Sequence, residues 1–354
     1  MANIDSIEEI KSLDKQNVLS SIQSLGKQIK QVSEDFESID LPDSLKGAHN
    51  IVVSGMGGSA LGGRIVDSLI LDKVGVPIEI FNEFHLPNYA DENTLVIVSS
   101  YSGNTEETVL SLNDAIQRNL KIFVISTGGK LAEIAKEKNL PSYIFNPSNN
   151  PSNQPRMGLG YSISAILTLL AKLGYAEFIK SELENVPSYV DKFTSLYDAT
   201  VNSSTNIAKQ LASKIYTKSP VLVASEHLVG VTHAFKNQLN ENAKTFTTIF
   251  DIPELNHHLM EGLANPTQIK SLLLFVFVKS KLYSEKVQKR YHLTLEVVEK
   301  NGIETQVIEL ISETKLEQVF ELLVLGSYIN FYVAMLYNID PAPIPWVDYF
   351  KANL

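Results

Sequence analysis

A chain of 354 residues with 44% hydrophobic and 20% charged content has the length for two domains with real hydrophobic cores, and is globular rather than disordered. Its formal charge of −10 argues against a nucleic-acid groove or an acidic membrane surface, so an anionic ligand needs help from particular Arg, Lys and N–H groups. Cysteine is absent, which excludes disulfides and thiolate chemistry and fits a reducing compartment.

Residues 1–20 are polar and acidic without an apolar centre, unlike a secretory signal. Across residues 5–36, Ile10, Leu13, Val18, Ile22 and Leu25 recur at near-helical spacing, which predicts one or two helices packed against the first domain. Short β-branched runs then alternate with helical stretches, giving strands at 51–54, 77–81, 94–99, 121–126 and 142–145. That alternation implies a parallel sheet with helices on both faces. The segment 146–155 holds three prolines in ten residues and reads as a loop, followed by a helix over 159–173.

Residues 177–206 are helical in character but less clearly patterned. A second series follows, with strands at 221–224, 245–249, 270–278 and 304–308, and helices at about 229–242, 282–300 and 314–338. The pattern is that of a duplicated α/β domain, with a boundary near 175–200 and a division into 1–180 and 181–354. The most apolar stretch, 271–278, is too short to span a bilayer and is bounded by Lys270 and Lys279. These features together predict a soluble, cytoplasmic protein.

Two loops carry the functional signal. Gly55-Met56-Gly57-Gly58-Ser59 follows the apolar run 51–53, and Ser99-Ser100-Tyr101-Ser102-Gly103-Asn104-Thr105 follows 95–98. Each reads as a buried strand breaking into a small-residue turn and then a helix, a geometry that aims N–H groups and a helix dipole at an anion. By itself Gly55-x-Gly57-x-x-Ala60 matches a dinucleotide fingerprint, with Glu79 near the place of a ribose-binding acid. A nucleotide P-loop is disfavoured because its Lys-[Ser/Thr] ending is missing. In the second loop Ser100, Ser102 and Thr105 stand where a helix starts, with Glu106 and Glu107 in its first turn. An ordinary N-cap needs one hydroxyl. Several hydroxyls at the carboxyl end of a strand suit a phosphate better.

With both loops in view, the chain resembles the sugar isomerase (SIS) fold, and within it the bifunctional phosphoglucose/phosphomannose isomerases. Further matching segments follow in the family's order: Pro155-Arg156-Met157-Gly158-Leu159-Gly160-Tyr161, Asn240-Glu241-Asn242-Ala243-Lys244, Glu254-Leu255-Asn256-His257-His258 and Asp340-Pro341-x-Pro343, with Lys351 near the end. The resemblance implies two SIS-type, flavodoxin-like domains with doubly wound parallel sheets and helical N-terminal and C-terminal extensions, and a site in the cleft between them. It places substrate and phosphate contacts on Gly58, Ser59, Ser100, Ser102 and Thr105. It places an arginine beside the reacting carbons at Arg156, the base at Glu241, the ring-opening histidine at His257 and a site lysine at Lys351. The family's histidine comes from a neighbouring subunit, which implies a homodimer with shared active sites and no cofactor. Two departures stand out: Met157-Gly158 replaces the usual alanines, and His258 doubles the histidine.

The chemistry fits these residue types. One carboxylate can move a proton between C2 and C1 through a cis-enediol. A guanidinium stabilises the enediolate without titrating, and an imidazole has the range to open the pyranose ring. Glucose 6-phosphate and mannose 6-phosphate differ only at C2 and share the enediol. Adjacent His257 and His258 point apart, and the chain has no His-Glu-x-x-His, so a metal site is not expected. His227 and His233 read as structural. The competing expectations are a non-catalytic sugar-phosphate-binding SIS regulator and, third, an NAD-dependent oxidoreductase.

Overall fold

The computed structural model describes residues 2–177 and 180–354, so positions 178 and 179 of the expected helical stretch 177–206 lie outside the described residues. In chain order the elements are α1 (Ile7–Leu13), α2 (Val18–Gln23), α3 (Leu25–Asp35), β1 (Asn50–Ser54), α4 (Gly58–Ile70), β2 (Ile78–Phe81), β3 (Thr94–Ser100), α5 (Glu106–Gln117), β4 (Lys121–Ser126), α6 (Gly129–Glu137), β5 (Ser142–Ile144), α7 (Leu159–Leu173) and α8 (Lys180–Tyr197). There follow α9 (Ile207–Ile215), β6 (Ser219–Ala224), α10 (Val229–Glu241), β7 (Thr248–Asp251), α11 (Leu255–His258), α12 (Ile269–Leu272), β8 (Leu273–Lys279), α13 (Glu285–Lys300), β9 (Glu304–Glu309), α14 (Lys315–Leu336) and α15 (Pro345–Ala352). These elements form two units, residues 24–188 and residues 2–23 with 189–354.

The first unit is built on a five-stranded parallel sheet in the order β2-β1-β3-β4-β5, the flavodoxin-like arrangement. Side chains alternate along its central strands because a strand has a period of two. Val52, Val96 and Ile122 stand in register on one face and pack with Leu112 and Ala115 of α5 and Leu131 of α6. Val53, Ile97 and Phe123 occupy the other face, where Val53 lies against Gly63 of α4 and Phe123 against Phe36, just beyond α3. Every residue of β3 is buried, as a strand covered on both faces requires.

In the second unit a four-stranded parallel sheet has the order β7-β6-β8-β9. This repeats the arrangement of the first four strands of the other unit, so the duplicated pattern extends to strand order. Its central helix is α14, which packs against α2, α9 and α10 and has every residue from Gln318 to Leu336 buried. By length and composition α14 could cross a bilayer, yet its apolar stretch is wholly buried in the unit and serves as a core helix. It exceeds in length the 271–278 run that looked most apolar in the sequence, and that run divides here between the end of α12 and β8. Polar groups on α14 are matched rather than excluded: buried Glu321 accepts the N–H groups of Ile311 (3.1 Å) and Ser312 (2.9 Å).

The N-terminal helices meet the expectation only in part. Only α3 packs in the first unit, on α7, whereas α1 and α2 belong with the C-terminal unit. Val18 and Ile22 are buried there, and Gln23 donates to Asp198 at 2.6 Å. The strand expected at 245–249 begins instead at Thr248, because Asn240 bonds both the N–H and the carbonyl of Thr247 and holds the preceding residues as a loop.

An ion pair helps fasten the N-terminal segment. Lys209, with its side chain fully buried, donates to Asp5 Oδ1 at 2.9 Å and to the carbonyls of Ala199 (2.8 Å) and Val201 (2.7 Å). Burial by itself raises the Asp5 carboxyl, but donors from Ser203 and Lys209 outweigh it and hold the group below the ordinary carboxylate value. A carboxyl depressed in the folded state contributes stability above its unfolded pKa, and that contribution is lost as pH falls through the folded value. Lys209→Met is therefore expected to cost about 2–4 kcal/mol in urea denaturation at neutral pH. The deficit of Asp5→Asn relative to the parent shrinks as pH drops below about 4. A deficit that stays constant from neutral to acid pH would show that the pair does not hold the segment.

Candidate active site

Strands β1 and β3 are parallel neighbours, with Ser54 at the end of β1 paired to Val98. The turn from β1 into α4 and the turn from β3 into α5 therefore open side by side at the carboxyl edge of the sheet. This is the point where strand order reverses, the usual ligand position in such sheets. The two turns are bonded to each other: the Tyr101 N–H donates to Ser59 Oγ at 2.9 Å, and Ser99 Oγ donates to the Ser59 carbonyl at 3.2 Å. Ser59 thus accepts through its hydroxyl oxygen and retains a proton to donate.

Of the second turn's hydroxyls, those of Ser100 and Thr105 come together, whereas that of Ser102 stands apart. Buried Ser100 has its Oγ 3.0 Å from Thr105 Oγ1 and accepts the Gly103 N–H at 3.1 Å, while exposed Ser102 accepts the Asn104 N–H at 3.3 Å. Thr105 occupies the N-cap position of α5, but its side chain makes no cap hydrogen bond. The plain N-cap reading therefore does not describe this loop. Its Ser100 and Thr105 hydroxyls face one another, and Thr105 gives the start of α5 no side-chain cap, a helix start that suits an anion.

Arg156 lies in the short turn Pro155–Met157 ahead of α7, is 1% exposed, and donates from Nη1 to Gln154 Oε1 at 2.9 Å. A Cβ at Gly58 would stand 2.9 Å from the Arg156 nitrogen and 3.1 Å from the Pro155 carbonyl carbon. The missing side chain at Gly58 thus lets the main chain of Arg156 approach. The proline-rich loop before Arg156 is held by α3. Gln28 donates to the carbonyls of Asn149 (3.1 Å) and Met157 (2.9 Å), and Gln31 accepts from Asn149 Nδ2 and from the Tyr161 hydroxyl, each at 2.9 Å. Neither glutamine was singled out from sequence. The available signal was Gln28 lying among Leu25, Ile29 and Val32 on the apolar stripe of α3.

The remaining expected residues lie in the C-terminal unit. Glu241 is the last residue of α10 and is half-buried. Its neighbours act as clamps: buried Asn242 donates to Asn330 Oδ1 of α14 at 2.7 Å, and Asn330 donates to Gln238 Oε1 at 3.1 Å. Lys244 donates to the carbonyls of Asp340 and Pro341, each at 3.1 Å, so two of the matching segments meet within this unit. His257 and His258 are both exposed on α11, which Asn256 anchors through Thr294 Oγ1 at 2.7 Å. Lys351 is exposed in the last turn of α15, a helix with no buried residue. His227 is buried and pairs through Nε2 with Gln318 Oε1 at 2.9 Å, which also accepts from Ser280. Because the Gln318 amide nitrogen donates to Ser312, that oxygen is the acceptor and His227 Nε2 carries the proton.

The position directly after β2, where a dinucleotide site places its acid, is held by an amide. Glu79 is an exposed mid-strand residue, and Asn82 fills the position after the strand, donating to the Gly55 carbonyl at 2.5 Å and accepting from Arg64 at 2.6 Å.

Known proteins place this architecture. Residues 44–172 match the SIS domain, and residues 204–354 match the bacterial phospho-glucose isomerase C-terminal SIS domain. A bifunctional phosphoglucose/phosphomannose isomerase of Caldicellulosiruptor bescii is 32% identical over 95% of this chain and 98% of its own length. A D-glucosamine-6-phosphate 4-epimerase of Sulfolobus acidocaldarius is 32% identical over 66% of this chain and 69% of its own. Among solved structures, a hypothetical protein of Thermus thermophilus shares the fold with a TM-score of 0.76 at 16% identity, covering 98% of this chain and 92% of that one. A whole-length match at this identity, on two flavodoxin-like sheets of the same strand order, places the chain in the bifunctional phosphoglucose/phosphomannose isomerase family.

Proposed function

We propose that the chain is an isomerase that interconverts glucose 6-phosphate and mannose 6-phosphate with fructose 6-phosphate through a cis-enediol. The observation that carries this reading is the Ser100–Thr105 hydroxyl pair beside an α5 start with no side-chain cap, with the Ser59 hydroxyl bonded to the Tyr101 N–H and the Arg156 turn packed on Gly58. The hydroxyls and the helix start hold the phosphate. Arg156 stabilises the enediolate as a fixed planar donor that does not titrate. Glu241 takes the C2 proton and returns it to C1, or the reverse, and one base serves both aldoses because both collapse to the same intermediate. His257 opens the ring, and Lys351 acts at the same site.

A homodimer with shared sites, in a cytoplasmic setting, completes the proposal. It is supported by His257 lying exposed on its own chain, and by α15, which carries Lys351 and leaves Trp346 82% and Phe350 62% exposed. Exposed aromatics grouped on one helix mark a contact surface. A sugar-phosphate-sensing regulator would need the same loops but no base, and an oxidoreductase would need the acid that Asn82 replaces.

Purified protein incubated with fructose 6-phosphate, excess EDTA and no nicotinamide is expected to release both glucose 6-phosphate and mannose 6-phosphate. Folded protein that forms neither sinks the isomerase reading, and product lost only with EDTA would require a metal. Glucosamine 6-phosphate in the same assay tests the chemistry of the epimerase relative. Glu241→Gln is expected to lower kcat by about 10²–10⁴-fold and to abolish solvent exchange at C2, with KM changed only a few-fold. Turnover near the parent rate would move the base elsewhere.

A further inference from the structure

Tyr101 touches more of the site than any role assigned above explains. Its N–H donates to Ser59 Oγ, and its carbonyl accepts the N–H (3.1 Å) and the hydroxyl (2.6 Å) of Thr127. The backbone of this residue therefore joins the glycine turn, the hydroxyl turn and the turn after β4. Its side chain crosses to a fourth segment. The phenol accepts from Asn150 Nδ2 at 2.8 Å and donates to Asn153 Oδ1 at 3.2 Å. Burial pushes this phenol up to about 12 against the hydrogen bond from Asn150, so it stays protonated and keeps both bonds across the working pH range.

From Asn150 the contacts lead to Arg156. Asn150 is 2% exposed, and the same Nδ2 donates to the Gln154 carbonyl at 2.9 Å while its Oδ1 accepts from Ser152 Oγ at 3.0 Å. The Gln154 side chain then accepts from Arg156 Nη1. A buried amide with its donors and acceptors matched is stiff, because losing any one bond leaves a desolvated polar group. The ring supplies a second constraint. A Cβ at Gly158 would stand 2.7 Å from Tyr101 Cε2, so the ring lies flush on the main chain two residues beyond Arg156.

We propose that Tyr101 is a positioning residue that couples the hydroxyl turn to the Arg156 turn through Asn150 and Gln154 and through ring contact with Gly158. The proposal rests on the isomerase reading for what Arg156 does. A hexose phosphate is held at one end by its phosphate and reacts near the other, so the spacing between hydroxyl turn and guanidinium sets the rate. An error of about 1 Å in such a spacing costs on the order of 10²-fold.

Tyr101→Phe keeps the ring and removes the hydroxyl. It is expected to lower kcat about 10- to 100-fold, while KM and inhibition by inorganic phosphate change by less than about 3-fold, because the phosphate hydroxyls are untouched. In an Arg156→Lys background the same substitution is expected to change kcat by less than about 2-fold, since a residue acting through Arg156 is not additive with its loss. Gly158→Ala, which pushes on the ring instead of removing the hydroxyl, is expected to give the same kcat-selective loss. A readout independent of turnover uses phenylglyoxal with peptide mass spectrometry. Arg156, protected by burial in the parent, is expected to be labelled several-fold faster in Tyr101→Phe, with Arg64, Arg118 and Arg290 as internal references.

Parent-like kcat in Tyr101→Phe, additivity with Arg156→Lys, or unchanged Arg156 labelling would each overturn the coupling. A parent protein without isomerase activity would overturn the proposed function instead, and the labelling result would still decide whether Tyr101 holds Arg156.

Discussion

The parallel pairing of β1 with β3 is the constraint on which the first unit's chemistry depends. Both strands are buried on two faces, so their middle residues are apolar and their polar side chains fall at the ends, Ser54 on β1 and Ser99 and Ser100 on β3. Chemistry moves to the ends. With Ser54 opposite Val98, the two following turns emerge together, and their helices start from neighbouring points. Side chains then finish what pairing begins: the Tyr101 N–H and the Ser99 hydroxyl both bond to Ser59, making one surface of two turns. The Arg156 turn can join that surface only because Gly58 has no Cβ.

The second sheet shows that strand order alone does not make such a surface. It repeats the arrangement of the first, yet its corresponding edge is filled by its own side chains. The Ser225 N–H is bonded to the Tyr283 hydroxyl, and His227 and Ser280 share the Gln318 oxygen supplied by α14. Those bonds convert a possible ligand edge into core. The residue expected to act as base lies instead at the far end of α10, where Asn240, Asn242 and Lys244 fasten the chain on either side of Glu241. One duplicated fold thus carries two different devices, a polar cradle at a sheet edge and a carboxylate at a clamped helix end.

Much of this was legible in the residues. The strands near 51, 94, 121 and 221 and the helix over 159–173 fall where period and breakers place them, because burial on both faces leaves an unbroken apolar run that little else explains. The hydroxyl loop was readable for a related reason, since more hydroxyls stand at one helix start than a cap can use. What escaped was set by distant partners. Gln28 and Gln31 look like ordinary helix residues until α3 is laid beside the proline-rich loop. The displaced start of β7 depends on Asn240, and the placement of α1 and α2 depends on Lys209 and α14.

By itself the sequence determined the α/β class, the duplication, the two strand-to-helix turns at β1 and β3 and the residue types fit for proton transfer. Each of these follows from local periodicity or from the chemistry of a few adjacent side chains. The tertiary structure alone decided that the glycine of one turn admits Arg156, that Tyr101 reaches four segments, and that a long apolar helix is a core rather than a span. Those outcomes depend on which residues meet from distant parts of the chain, and a desolvated hydrogen bond or a missing Cβ acquires meaning only once its partner is in place.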